Sequence, residues 1–164
     1  MGRTNHYRCS AGLVLDALGH RLGSATLGEA NGATRAELRE QIKTEGLADV
    51  SVEDDAVAAL RTSGVGAGGS LLVHIDPFSL SPELWAQLAP ALDSVCARGA
   101  NAVLVVYRYT RNARAVWPSA PKGAIGPVAQ TRGGPHEVAA YASEGIASAV
   151  RDACVGLGWQ RVPS

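Results

Sequence analysis

The chain has 164 residues, with 15 Lys plus Arg against 15 Asp plus Glu, 46% hydrophobic residues and 18% charged ones. That balance fits a single folded α/β domain over residues 1–164 rather than a disordered chain. Zero net charge argues against a general nucleic-acid binder. No apolar run reaches the roughly 20 residues of a membrane span. The polar start, Met1 to Arg8, lacks a signal-peptide core, so a cytoplasmic location is expected. Cys9, Cys96 and Cys154 are odd in number and far apart, which fits neither a disulfide framework nor a zinc site.

In chain order, helical spacing of apolar residues predicts a helix from Ala11 to Leu22 and then a strand from Ser24 to Glu29. Thr34, with Glu37 three residues on, reads as a capping box for a helix to about Lys43, which Gly46 ends. Asp49–Glu53 reads as the next strand, and Asp54 or Asp55 starts a helix through Leu60. Gly64–Gly69 spells GxGxxG, but it precedes a strand instead of following one and so is a connector. The run from Ser70 to Ile75 is a buried strand that stops at Asp76-Pro77, since proline cannot donate to a ladder. Ser81-Pro82-Glu83 opens a helix to about Ala97, with a kink or break predicted at Pro90. Ala102–Tyr107 is a further strand. Residues 110–135, carrying Pro118, Pro121, Pro127 and Pro135, read as an irregular loop. A helix from about Glu137 to Val155 and a last strand near Gln160–Val162 follow. The alternation predicts a three-layer, Rossmann-like α/β fold with a mainly parallel sheet.

Three of these strands end in an acid: Glu29, Asp55 and Asp76. Ligands of open α/β sheets bind outside the carboxyl ends of the strands, so one sheet and one binding edge are expected for the three. Each acid also has a plain reading. Asp55 serves equally well as a helix N-cap, and Glu29 as a solvated turn residue. Asp-Pro makes ordinary turns. Between Asp93 and Glu137 there is no acid, while Arg98, Arg108, Arg111, Arg114, Lys122 and Arg132 alternate with Tyr107, Tyr109 and Trp117. Such a mixture holds phosphates and stacks bases, which makes Tyr107, Arg108, Arg111 and Arg114 candidate substrate ligands. The alternative is that these cations pair with acids elsewhere in the fold.

The order of two acid-ended strands followed by an Asp-Pro-aromatic strand resembles the S-adenosylmethionine-dependent methyltransferase fold. More narrowly, it resembles the bacterial adenine N6-methyltransferases of 23S ribosomal RNA. The likeness begins at Tyr7-Arg8-Cys9-Ser10-Ala11, where that family has Tyr-Pro-Gly-Ser-Pro before a helix, and runs through Asp76-Pro77-Phe78-Ser79 to Tyr107. It implies S-adenosylmethionine as cofactor, with Ser10, Glu29 and Asp55 among its ligands. Glu29 would accept from the ribose hydroxyls, and Asp55 from the adenine amino group. Asp76 and the Pro77 carbonyl would accept hydrogen bonds from the amino nitrogen to be methylated. Phe78 would stack on the acceptor base, itself part of a nucleic acid or a small molecule.

The chain departs from that family in three ways. Phe78 and Ser79 replace the last two residues of the family's Asp-Pro-Pro-Tyr. The Gly-rich loop that cradles the methionine end of the cofactor has no counterpart. The chain also ends at about the sixth of the usual seven strands. These departures leave open a second chain supplying the missing elements, a methyltransferase-like binding domain without turnover, or the fold reused for another reaction such as hydrolysis.

Overall fold

The structure, a computed structural model, describes residues 10–18, 21, 23–63, 65, 68–76, 80–98, 101–109, 117–133 and 136–162. The chain divides into two units, residues 1–59 and 60–164. The first opens with helix α1 (Ser10–Leu18). Strands β1 (Ala25–Gly28) and β2 (Val50–Glu53) are then joined by helix α2 (Gly32–Glu45). The two strands pair in parallel, from Ala25 opposite Val50 to Gly28 opposite Glu53. A parallel pair requires a crossover connection, and α2 supplies it. The cap of α2 is Asn31, not Thr34. The Asn31 side-chain oxygen accepts from the N–H groups of Ala33 at 3.0 Å and Thr34 at 3.1 Å, which places Thr34 inside the first turn. Gly46 ends the helix in the left-handed region at φ 68°, a conformation that suits glycine. Helix α3 (Ala56–Thr62) begins just after β2.

The second unit repeats the crossover. Strand β3 (Ser70–Ile75), helix α4 (Pro82–Ala97) and strand β4 (Asn101–Tyr109) put β3 and β4 side by side in parallel, with Ile75 opposite Val106. Ser81 caps α4 through its hydroxyl, which accepts from the Leu84 N–H, and Pro82 occupies the first turn, as the sequence indicates. The helix runs through Pro90 without a break. Losing one helical bond costs about 3 kcal/mol. The buried side chains of Leu88, Leu92 and Val95 on the same helix each contribute roughly 1.5–3 kcal/mol, so the buried face holds the helix together. Strands β5 (Ala124–Gly133), β6 (His136–Ser143) and β7 (Gln160–Arg161) complete a five-stranded sheet in the order β3-β4-β6-β5-β7, and helix α5 (Ala147–Gly156) precedes β7. On one face α4 packs against Ala102, and Leu104 and Val106, which alternate onto the same face, are likewise fully buried. On the other, α5 packs over Val128, Ala140 and Ala142.

The fold is Rossmann-like α/β, with four differences from the sequence expectation. The strands lie in two sheets, β1-β2 and the five-stranded one, instead of a single sheet. Parallel pairing holds for β1-β2 and β3-β4, but β4-β6, β6-β5 and β5-β7 are antiparallel. Only two residues separate β5 from β6, and so short a link can join only antiparallel neighbours. Residues 110–135 are therefore not one irregular loop, since β5 occupies 124–133. Likewise the expected helix from Glu137 starts as strand β6, and helix begins only at Ala147. Ala139, Ala140 and Ala142 favour helix locally, but as fully or almost fully buried side chains in the sheet they serve packing instead.

Candidate functional site

In the first unit the ends of β1 and β2 bring two of the expected acids onto neighbouring strands. Glu29 follows β1, and its N–H donates to the Glu53 carbonyl at 2.9 Å. The Glu29 carboxylate accepts the Asn31 N–H at 2.7 Å through Oε1, while Arg35 donates to the Glu29 carbonyl at 2.8 Å. The turn is thus held on both sides, and a carboxylate has further acceptor capacity on its second oxygen. Asp55 follows β2 and caps α3: its Oδ1 accepts the Ala58 N–H at 2.9 Å. The N-cap reading of that residue is the one its hydrogen bond expresses. Gly28 allows the close packing between these ends. A Cβ at that position would lie 2.3 Å from the Ala56 Cβ, so only glycine lets α3 start against β1. Ser10 is the first residue of α1.

In the second unit, Asp76 is exposed and follows the last residue of β3. Extending the register of Ile75 with Val106 by one step places Asp76 opposite Tyr107 on β4. The two groups sense each other. The Tyr107 phenol is pushed above its usual value, first by burial and then by the negative charge of Asp76. Tyr107 and Tyr109 alternate onto the sheet face opposite α4, where the first residue of β6, His136, pairs directly with Tyr109. The His136 ring lies 5.2 Å from the Tyr107 ring, tilted by 36°, and 5.2 Å from the Tyr109 ring, edge-on at 61°.

Arg108 projects from the opposite face and is committed within the fold. Its Nε and Nη2 donate to Glu137 Oε2 at 2.9 Å and 2.6 Å, and its guanidinium sits 3.9 Å from the Trp117 ring centre. Trp117 in turn donates to the Gln130 side-chain oxygen at 3.1 Å. These contacts realise the alternative in which a cation of this segment pairs with an acid elsewhere. Pro77, Phe78, Arg111 and Arg114 lie outside the described residues. His136 is the component the expected substrate ligands lacked. Its place depends on β6 being a strand, which the alanine-rich run His136–Ser143 did not announce.

No family profile matches the chain, and no curated protein sequence does. Solved structures do. The candidate methyltransferase yhhF of Escherichia coli aligns with a TM-score of 0.58 at 21% identity, over 82% of this chain and 71% of that one. A conserved hypothetical protein of Streptococcus pyogenes aligns with a TM-score of 0.56 at 16% identity, covering 82% of this chain and 81% of that one. A candidate methylase from Haemophilus influenzae gives 0.54 at 16% identity, with the same coverage of each chain. At these identities the likeness establishes the fold alone, the Rossmann-like α/β arrangement that the chain shares with these three proteins.

Proposed function

We propose that the chain is an S-adenosylmethionine-dependent methyltransferase acting on an amino nitrogen of a nucleobase, as the adenine N6-methyltransferases of 23S ribosomal RNA do. The observation that carries this reading is Asp76, an exposed acid at the carboxyl end of a parallel strand, beside Tyr107 in a fold of this type. The residues fit the adenosine end of the cofactor. Glu29 keeps acceptor capacity for vicinal hydroxyls after taking the Asn31 N–H, and Asp55 keeps its second oxygen while capping α3. When bound, S-adenosylmethionine supplies an electrophilic methyl group.

The chain's own contribution is positioning. Asp76 accepts a hydrogen bond from the acceptor amine and turns the nitrogen lone pair outward, and Tyr107 bounds the acceptor on the neighbouring strand. The cap formed by Asp55 favours one second reading, a methyltransferase-like binding domain without turnover, because that carboxylate already has a structural task.

The test is transfer of labelled methyl from S-adenosylmethionine to unmodified ribosomal RNA. Asp76→Ala should lower the rate by roughly 10²–10³ and leave thermal unfolding unchanged, since the residue is exposed. An Asp76→Ala variant with full transfer activity would refute the catalytic assignment. Cofactor binding without any transfer by the unaltered chain would establish the second reading.

A further inference from the structure

The aromatic cluster on the face opposite α4 has a use that Asp76 alone does not explain. Tyr109 and His136 are a directly opposed cross-strand pair, and Tyr107 stands diagonally from His136, within the reach of aromatic side chains on one sheet face. Asp76 lies across from Tyr107 on the next strand. The cluster is not closed off, as Tyr109 remains 39% exposed. His136 meets both tyrosines through its ring. Its Nδ1 is buried with no hydrogen-bond partner, while its ring lies 5.2 Å from the rings of both Tyr107 and Tyr109.

Resting on the methyl-transfer reading above, we infer that Tyr107, His136 and Tyr109 form one aromatic platform that receives the planar ring of the acceptor beside Asp76. His136 is the positioning residue that keeps the two tyrosines at their angles. A flat heteroaromatic amine gains from such a surface, because every base has a π-face to stack. An aliphatic amine does not. The acceptor must also be unpaired, since a base held in a duplex cannot lay its face on a protein ring.

Binding is measured on the full chain without methyl donor, by anisotropy of a labelled single-stranded hexa-adenylate RNA, with spermidine as the aliphatic competitor. His136→Ala and Tyr109→Ala should each weaken binding roughly tenfold or more, the loss expected of a stacked base. His136→Phe, which keeps a ring, should stay within about threefold of the unaltered chain, and spermidine should compete only through ionic strength. Thermal unfolding by circular dichroism identifies a misfolded variant. Should His136→Ala fail to fold, Tyr109→Ala at its exposed position carries the test. Unchanged binding in Tyr109→Ala, or a loss in His136→Phe equal to that in His136→Ala, overturns the platform. Because no methyl donor is present, weakened binding without transfer by the unaltered chain refutes the methyl-transfer reading and leaves the platform standing. Transfer with unchanged binding does the reverse.

Discussion

Exchanging Arg108 for methionine and Glu137 for leucine, singly and together, isolates the ion pair at the end of β4. The two groups meet through hydrogen bonds of 2.9 Å and 2.6 Å, and their side chains retain only 15% and 20% exposure. Hydrogen bonds to charged groups contribute about 1.5–3 kcal/mol each, and stranding one partner of a fully buried pair costs about 3–5 kcal/mol. Partial solvent access lowers that figure, so each single substitution should lose about 2 kcal/mol. Glu137→Leu leaves Arg108 against Trp117, while Arg108→Met leaves Glu137 with Arg132 at 3.8 Å, a side chain 62% exposed and weakly held. The double variant strands neither charge and should lose no more than either single, which gives a coupling of about 2 kcal/mol. Urea unfolding followed by tryptophan emission reads it cleanly, since Trp85, Trp117 and Trp159 all belong to the second unit. A coupling below about 0.5 kcal/mol would refute the clamp. Arg108 would then return to being a candidate phosphate ligand.

Three further outcomes are expected. Asn31→Ala should cost about 1 kcal/mol by removing the cap of α2, whereas Thr34→Ala should cost under about 0.5 kcal/mol; a reversed order in urea unfolding would contradict the observed cap. Gly28→Val should destabilise by roughly 1–3 kcal/mol or more, because the added Cβ meets Ala56 at 2.3 Å, and Ala56→Gly should restore part of the loss. Burial holds the Tyr141 phenol well above its usual range, so its contribution to stability is full below about pH 10 and declines as pH rises toward the folded-state value. Tyr141→Phe should flatten that alkaline decline in urea midpoints above about pH 10. The substitution should also cost about 1 kcal/mol at neutral pH for the lost 2.8 Å bond to the Pro118 carbonyl.

The elements that the sequence made legible are those whose local chemistry agrees with their tertiary role. Ser70–Ile75 is an apolar run closed by Asp-Pro, and it is a parallel strand with Asp76 at its end, although it lies at the edge of its sheet with only Ile75 buried instead of being buried throughout. Ser81-Pro82 carries both a cap and an N-terminal proline, and α4 starts there. Asp55 could be read either as a cap or as a ligand, and its bond to Ala58 expresses the first. At Asn31 the local signals compete. Thr34 and Glu37 match a capping box, but the amide oxygen of Asn31, three residues earlier, reaches two free N–H groups of the first turn.

What stayed hidden lies where pairing rather than propensity decides. Ala124–Gly133 carries Pro127 and two glycines, and His136–Ser143 is rich in alanine, so neither announces a strand. Both become strands because β4 offers an edge that β6 can join antiparallel, after which β6 offers its own edge to β5. Hydrogen bonding to a neighbour outweighs local preference of under about 1 kcal/mol per residue. The same pairing builds the aromatic cluster. Nothing in the separation of Tyr109 and His136 along the chain relates them, yet a register fixed by Leu104 against Tyr141 in the buried layer brings them face to face five residues further along β4. The core layer that α4 covers thus determines the spacing of the rings on the opposite side. A substitution that slips β6 by one residue would turn Tyr141 outward and His136 away from the tyrosines together. Packing at Tyr141 and the geometry beside Asp76 are therefore two consequences of one register.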